Sequence, residues 1–385
     1  MKNGKSITEL AAQLQSIRDT ALDIVVPVAS LPKVGAIAAY RDEVLGGDQP
    51  ARSRKELFVQ SPRQDGSIAT LEPSPWANSQ LAEYADIPKT YYDRVLGENP
   101  TLMALALNHG FAIQAGIAAS QKGIAGRMLR THGGKLRAMV SSRYRTLDNF
   151  DLFEAIAPAL IDLGFEPESV ELTDRRLYLK VLSPKIESEV SVGDTVQYGL
   201  VVSNSDVGAG SVRVEPLIYR LVCRNGMISS TAIRKAHLGR NLAGDDIQDL
   251  LSDKTKELSD AAFWNQIRDV VVNTAKPEFF EREVNRLREA KGVALKLFDL
   301  PEVVERAARE AKITLNEPVR KSILDNLANG ADGAGMNKWG LANAFTYAAG
   351  AVESLSYDDA TELERAGSKI IELSPRSWEV INASK

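Results

Sequence analysis

The stretch GGKLRAMVSSRYRTLDNFDLFEAIAPALIDLG, residues 133–164, carries the strongest fold signal of this 385-residue chain. Its first part predicts a tight turn at Gly133-Gly134 and then a strand, because apolar and other side chains alternate from Leu136 to Ser141. Its second part predicts a helix that Asp148-Asn149 cap and that Gly164 ends in the left-handed conformation. A strand followed directly by an amphipathic helix indicates a mixed α and β fold.

The sequence downstream of this stretch predicts more strands and then only helices. Residues 177–181 alternate as a half-buried strand with a basic outer face. Residues 195–203 and 211–223 flank a polar loop, which predicts a hairpin, with a bulge or a sheet edge at Pro216. From Asp245 onward the apolar residues keep the helical period. The expected fold class is therefore α+β, a central mostly antiparallel sheet with packed helices followed by an all-helical C-terminal region.

The sequence upstream predicts a capped helix over residues 7–21 and extended segments with turns over 32–78. Helical periodicity returns over residues 80–96. The alanine-rich run 102–119 predicts a buried helix, because polar residues and glycine interrupt it and it is too short to span a membrane. A chain of this length favours more than one unit. We expect an N-terminal helix with extended segments over 1–79, an α+β core with a basic face over 80–244, and a helical region over 245–385.

Charge is distributed unevenly along the chain. The net charge is −4, but no Asp or Glu occurs from Asn99 to Leu147 or from Pro216 to Gly244. Residues 245–385 hold 25 acidic and 19 basic side chains, which leaves a balance of +2 for residues 1–244. A block of one sign is usually a solvated face. Because both acid-free blocks also carry strand and loop signals, we interpret them as parts of one electropositive surface.

Several kinds of catalytic or metal site are disfavoured by the sequence. Cys223 is the single cysteine, which excludes an internal disulfide, and with three scattered histidines we expect no zinc site of Cys or Cys/His type. Gly4-Lys5-Ser6 lacks the phosphate-loop spacing, and no nucleophile elbow occurs. The glycine-rich run 330–340 is expected to lead into a helix capped by Asn337, with phosphate binding by its amides as the alternative. We expect no metal, no cofactor and no assigned catalytic residue.

Four segments resemble a known family. They are LRAMVSSRYRTLDN (136–149), VSNSDVG (202–208), RLVCRNGM (220–227) and WGLANA (339–344). In this pattern the chain is similar to the phage- and plasmid-like proteins grouped as domain of unknown function 932, over most of residues 80–375. The resemblance implies a setting in phages, plasmids and transferred regions, and it implies no catalytic residue. Single-strand annealing proteins are found in that setting, and they offer an analogy for a sheet with a basic groove.

The leading hypothesis is a phage- or mobile-element-type protein that binds or anneals single-stranded DNA in recombination or replication, without a nucleotide cofactor. Basic side chains would neutralise phosphates and tyrosines would stack on bases. The expected contacts are Lys122, Arg127, Arg130, Lys135, Arg137, Arg143, Tyr144, Arg145, Tyr178, Arg213, Arg220, Arg234 and Lys235. Duplex DNA or RNA is an alternative ligand.

A homo-oligomer in the cytoplasm, without membrane contact, is expected as the state of the protein. A second hypothesis is a structural or regulatory phage protein whose basic blocks bind an acidic protein partner. A third is an enzyme that uses the same arginines on a phosphate-bearing substrate, which the lack of a base or metal site disfavours.

Overall fold

Two six-stranded sheets and twelve α-helices make up the described part of the chain. The computed structural model describes residues 1–27, 33–37, 56–62, 67–120, 126–229, 233–235, 253–296 and 299–383. The strands are β1 (Ala21–Pro27), β2 (Lys33–Ile37), β3 (Glu56–Pro62), β4 (Ile68–Pro73), β5 (Gly126–His132), β6 (Lys135–Ser141), β7 (Glu166–Leu172), β8 (Leu177–Ser191), β9 (Asp194–Asn204), β10 (Val212–Arg220), β11 (Asn225–Ile228) and β12 (Ile233–Lys235). The helices are α1 (Ile7–Thr20), α2 (Pro75–Tyr84), α3 (Lys89–Glu98), α4 (Pro100–Ser120), α5 (Asn149–Asp162), α6 (Asp253–Thr274), α7 (Pro277–Lys291), α8 (Leu300–Glu310), α9 (Glu317–Ala328), α10 (Lys338–Ala351), α11 (Tyr357–Ile371) and α12 (Pro375–Ile381).

The first sheet has the strand order β1-β5-β6-β4-β3-β2 and is antiparallel except where β4 runs parallel to β6. The predicted tight turn at Gly133-Gly134 is confirmed, since both glycines adopt left-handed φ angles, and it joins β6 to β5 in an antiparallel hairpin. Helices α2, α3 and α4 cover one face, with Leu81, Met103 and Leu129 in their shared core. Strands from both sides of residue 79 therefore belong to one sheet, and the three-part division of the chain stays a prediction.

The second sheet has the order β11-β10-β9-β8-β7, with β12 also paired to β10, and all its pairs are antiparallel. β9 and β10 form the predicted hairpin around residues 204–210. The β9–β10 pairing continues through Pro216 without a register shift, and Pro216 lies opposite Leu200 on β9. On its other side Pro216 lies between the short partners β12 and β11 of β10, so its missing N–H removes no ladder bond. The α+β class is confirmed, but the expected single central sheet is in fact two sheets.

Helices cover both faces of the second sheet. On one face Leu179 and Leu200 join the main core with Leu152 of α5 and Val271 of α6. On the other face the strands meet α11, so β8 is buried on both sides over residues 177–183. The predicted half-buried strand with a basic outer face is therefore wrong.

Several predicted helix ends are confirmed in detail. Ser6 caps α1 and forms a reciprocal capping box with Glu9. Gly164, with φ at 72°, follows α5, and Asn337 caps α10 by accepting from the Gly340 N–H. The helical region was predicted from Asp245, of which residues 245–252 lie outside the described residues. From Asp253 onward the described elements are helical, and Pro277, Pro301 and Pro318 each lie in the first turn of a helix.

Helix α4 is buried on one side only. Met103 and Leu107 face the first sheet and are 0% exposed, whereas Leu105 and Ile113 are 63% and 50% exposed. The expectation of a buried helix is wrong for this outer face. By length and composition alone, Pro100–Ala118 is apolar enough to cross a membrane, with a mean hydropathy of 1.2, and no other segment of the described residues meets that criterion. The core helix of a soluble protein meets it too.

Candidate functional site

A cleft of about 490 Å³ opens where the first sheet meets the loop between β9 and β10. Its walls come from α2, α4, β5, β6 and that loop. Gln80 joins two of these walls, because its Oε1 accepts from the Met139 N–H at 2.9 Å and its Nε2 donates to the Val207 carbonyl at 2.9 Å. Two of the predicted site residues, Arg127 and Tyr144, line the cleft.

Arg127 lines this cleft, and its guanidinium has a hydrogen-bond donor without an acceptor. The guanidinium carbon lies 4.1 Å from the ring centroid of Tyr84, a cation–π distance. The Nε atom is buried and has no hydrogen-bond partner, and Arg127 forms no ion pair among the described residues. A buried donor without an acceptor costs about 1–3 kcal/mol. An acceptor supplied by a ligand would remove that cost.

Tyr144 forms a fixed, neutral part of the wall. Its hydroxyl donates to the Ser205 carbonyl at 2.9 Å, and its ring packs near Trp76 against β6. Burial, helped by the negative charge of Asp206, raises the pKa of this phenol above its ordinary value. Arg143, the preceding residue, is exposed. The ring and the neighbouring guanidinium thus lie on one segment that leaves β6.

Arg130 and Arg137 were predicted to face solvent. In the structure they are largely buried and connect the two sheets. Arg130 is 3% exposed, and its guanidinium contacts Asp23 Oδ1 at 3.0 Å, Asp148 Oδ1 at 2.6 Å and the Asp206 carbonyl at 2.5 Å. Arg137 binds both oxygens of the Asp206 carboxylate, with Nη2 at 2.8 Å from Oδ1 and Nη1 at 3.1 Å from Oδ2. Burial opposes the charge on Arg130, but the three carboxylates outweigh it and raise the pKa of the guanidinium. Since these donors are already bonded, the prediction that Arg130 and Arg137 contact phosphates is wrong.

The other members of the first basic block lie in different surroundings. Arg145 donates from Nε to Asp260 Oδ1 at 2.7 Å and lies 5.2 Å from the Phe263 ring, so it joins the loop after β6 to α6. Lys135 is exposed at the start of β6. Lys122 lies outside the described residues. Within the first block, Arg143 and Lys135 are exposed, and Arg127 has a buried Nε without a hydrogen-bond partner.

Tyr178 is buried between β8 and α11, which excludes it from base stacking. It is 2% exposed, and its hydroxyl donates to Asp358 Oδ1 at 2.7 Å. Two residues on, Lys180 is 0% exposed and lies 2.6 Å from Glu364 Oε2. Acidic side chains of α11 therefore neutralise the strand that was expected to be basic and exposed.

Arg220 is also buried, at 2% exposure, and acts as a clamp on a distant loop. Its Nε lies 2.5 Å from Asp194 Oδ1, and its two Nη atoms donate to the carbonyls of Ala331 and Asp332 at 3.1 and 2.9 Å. Trp339 holds the second oxygen of Asp194 at 2.9 Å. This network, and not a phosphate, satisfies the Arg220 guanidinium.

The remaining predicted residues lie at one end of the second sheet. Arg213 on β10 is half-buried and pairs in register with Ser203 of β9 and Arg234 of β12. Lys235 is in register with Val212. These three basic positions belong to the second sheet, whereas Arg127 belongs to the first. The two acid-free blocks therefore do not form one continuous row of strands.

The cleft depends on helix residues that the sequence reasoning did not select. Tyr84 supports Arg127, Gln80 fixes the wall, and Glu83 and Gln114 add polar groups to the lining. A stretch of positive charge in the sequence cannot indicate α2, because α2 contains no basic residue. A tyrosine at the end of a predicted helix, four positions after a glutamine, gives no distinguishing pattern. Among the described residues, no group of three or more His, Cys, Asp or Glu is arranged to hold a metal ion.

Comparison with known proteins identifies one domain. Residues 137–240 match the family model of a domain of unknown function, DUF932. The matched segment runs from Arg137 on β6 through the whole β7–β12 region, so it includes one wall of the cleft. Neither the curated proteins nor the solved structures contain a significant match to the chain. The predicted resemblance is confirmed for this segment, and an origin in phages or plasmids stays a prediction.

Proposed function

We propose that the protein binds single-stranded nucleic acid at the cleft beside Arg127, with a phosphate on the guanidinium and a base against Tyr144. The observation that carries this proposal is the buried Arg127 Nε without an acceptor, in a guanidinium stacked on Tyr84. Stacking covers the face of the guanidinium and leaves its N–H edge for a ligand. Planar donors of this kind suit phosphate oxygens.

The size and lining of the cleft suit a nucleotide unit. Its volume of about 490 Å³ lies within the range of small-molecule sites, roughly 300–1,000 Å³. Tyr144 supplies an aromatic surface, and aromatic surfaces accept any base without a strong sequence preference. A strand leaving the cleft passes Arg143, and one that follows β6 reaches Lys135, about 20 Å away by strand rise. Binding without a cofactor and without bond breaking is what this set of groups supports.

A salt titration tests the proposal. Three phosphate contacts, at Arg127, Arg143 and Lys135, predict a log–log slope of about −2 for a labelled oligothymidylate, at ~0.7 per phosphate. Arg127→Ala should weaken binding and flatten the slope by about 0.7. Arg94→Ala is the matched control, because Arg94 also lies over a tyrosine ring, that of Tyr91, but on the exposed surface of α3.

A second variant should change the affinity for the oligonucleotide in the opposite direction. Glu83 is an exposed carboxylate in the cleft lining, so Glu83→Gln should tighten the binding of an anionic strand. If the wild type retains no oligonucleotide at low salt, the proposed function is wrong. If it binds but the Arg127 and Glu83 variants behave as Arg94→Ala does, the strand binds elsewhere and the cleft is not the site.

The alternative, an acidic protein partner, predicts a different competition result. Polyglutamate should then displace a labelled oligonucleotide as effectively as unlabelled oligothymidylate does, because charge alone would govern the contact. Under the nucleic-acid proposal the base adds stacking that polyglutamate lacks, so oligothymidylate competes better at equal charge. The proposed homo-oligomeric state is tested separately by the mass of the free protein in solution.

A further inference from the structure

A second cleft, also about 490 Å³, lies on the C-terminal helices, away from Arg127. Its walls come from α9, the end of α10 and the glycine-rich loop that joins these helices. Asp325, Asn326 and Asn329 line it from α9, and Asp332 lines it from the loop. Nothing in the proposed nucleic-acid site uses these residues.

Asn326, a residue that lines this cleft, has a buried side-chain oxygen without a hydrogen-bond partner. Asn326 is 7% exposed, and its Nδ2 donates to Asp332 Oδ2 at 2.9 Å. Its Oδ1 is buried and accepts no hydrogen bond. The amide orientation is set by the bond to the carboxylate, so the unsatisfied atom is an acceptor. A ligand that donates hydrogen bonds would satisfy it.

The loop that carries Asp332 is held in a conformation that side chains rarely adopt. Gly330, Ala331, Asp332 and Gly333 all have positive φ angles, 50° at Ala331 and 51° at Asp332. Left-handed backbone at non-glycine residues persists only where surrounding contacts impose it, and such strain gathers at functional sites. Here Arg220 imposes it through its bonds to the two carbonyls. The Asp332 carboxylate is thereby positioned beside Asn326.

The cleft favours a positive ligand with an apolar part. Asp325 and Asp332 supply carboxylates, and α9 ends at Asn329, so the negative end of its dipole faces the same region. Pro318, Tyr347 and Val352 add apolar surface to the lining, which a bare ion would not use. An ammonium group already occupies the rim, because Lys321 Nζ lies 2.7 Å from Asp325 Oδ2 in an exposed ion pair.

We propose that this cleft binds an alkylammonium ligand, a primary ammonium on a short aliphatic chain. The ammonium donates to Asn326 Oδ1 and to the carboxylates of Asp325 and Asp332, and the alkyl chain lies against Tyr347 and Val352. Lys321 competes for Asp325 and thereby weakens the site. The site is independent of the proposed nucleic-acid function.

Calorimetric titration of the full chain with 1,5-diaminopentane tests this proposal. Saturable binding is expected, and 1,5-pentanediol, which has the same chain without charge, should give none. Lys321→Met should tighten binding about threefold, whereas Asp325→Asn should weaken it about threefold, because each alters one exposed charge contact. Lys254→Met, which removes an exposed lysine of α6 outside the cleft, is the matched control and should change nothing.

Asn326→Leu tests the buried acceptor and should weaken binding about tenfold, as loss of a hydrogen bond to a charged group does. If that variant does not fold, the two exposed variants, Lys321→Met and Asp325→Asn, still decide by their opposite signs. Absence of binding to the wild type would overturn the proposal. So would equal affinity in both exposed variants, or saturable binding of CaCl₂ that the diamine fails to displace.

Discussion

Replacing Lys180 by Met is expected to destabilise the protein more than replacing both Lys180 and Glu364. The two side chains are 0% exposed and 2.6 Å apart, and Glu364 Oε1 already lacks a partner. Lys180→Met leaves that carboxylate buried without a counter-ion, which costs about 3–5 kcal/mol of unfolding free energy. In the double variant Lys180→Met/Glu364→Leu both charges are gone, so its stability should return to that of the wild type or exceed it by about 1–4 kcal/mol.

Urea unfolding followed by circular dichroism measures these free energies, and the double-mutant cycle isolates the pair. The control pair is Lys89 and Asp93, whose side chains are 45% and 56% exposed. Lys89→Met should cost less than about 1 kcal/mol, because solvent screens an exposed ion pair. A double variant as unstable as Lys180→Met alone would refute the reasoning, since the loss would then come from packing and not from the uncompensated charge.

Two further predictions concern backbone space and pH. Gly340→Ala should lower the melting temperature sharply, because a Cβ there would lie 1.8 Å from the Gly335 carbonyl oxygen. Gly97→Ala, in open space on α3, should instead raise the free energy of unfolding by about 0.5–1 kcal/mol. Equal melting temperatures of the two variants would contradict this reasoning. Hydrogen bonds from Ser6 lower the pKa of Glu9, so the capping box stabilises α1 fully above the pKa of an unfolded Glu and loses that contribution as the pH falls through the lowered folded value. Amide exchange of α1 should therefore differ between wild type and Glu9→Gln at about pH 7, and the difference should shrink progressively as the pH falls below about 4.

Features whose cause lies within a few residues could be predicted from the sequence. The Ser6–Glu9 capping box, the Gly133-Gly134 turn and the cap at Asn337 are each determined by a short local pattern, and the structure confirms them. β5 was not predicted as a strand, because the register shifts at Arg130 and the apolar residues of this segment do not alternate.

Features that depend on distant partners could not be predicted in the same way. Lys180 and Tyr178 suggested an exposed basic strand, but the acidic residues that cover them come from α11, far along the chain. Arg130 and Arg220 suggested phosphate contacts because no acidic residue is near them in sequence. Their carboxylate partners are supplied by other elements, so a stretch without Asp or Glu in sequence need not be electropositive in space.

The loop between β9 and β10 fixes the two sheets relative to each other. Bonds from Trp76, Gln80, Arg130 and Arg137 all end on Asp206 or Val207, so the two sheets cannot rotate against each other without breaking several of them at once. The spacing of the walls beside Arg127 is consequently preset before any ligand arrives. Under the proposed function, a nucleic acid would have to fit walls that are already in place, and such preorganisation reduces the entropy lost on association.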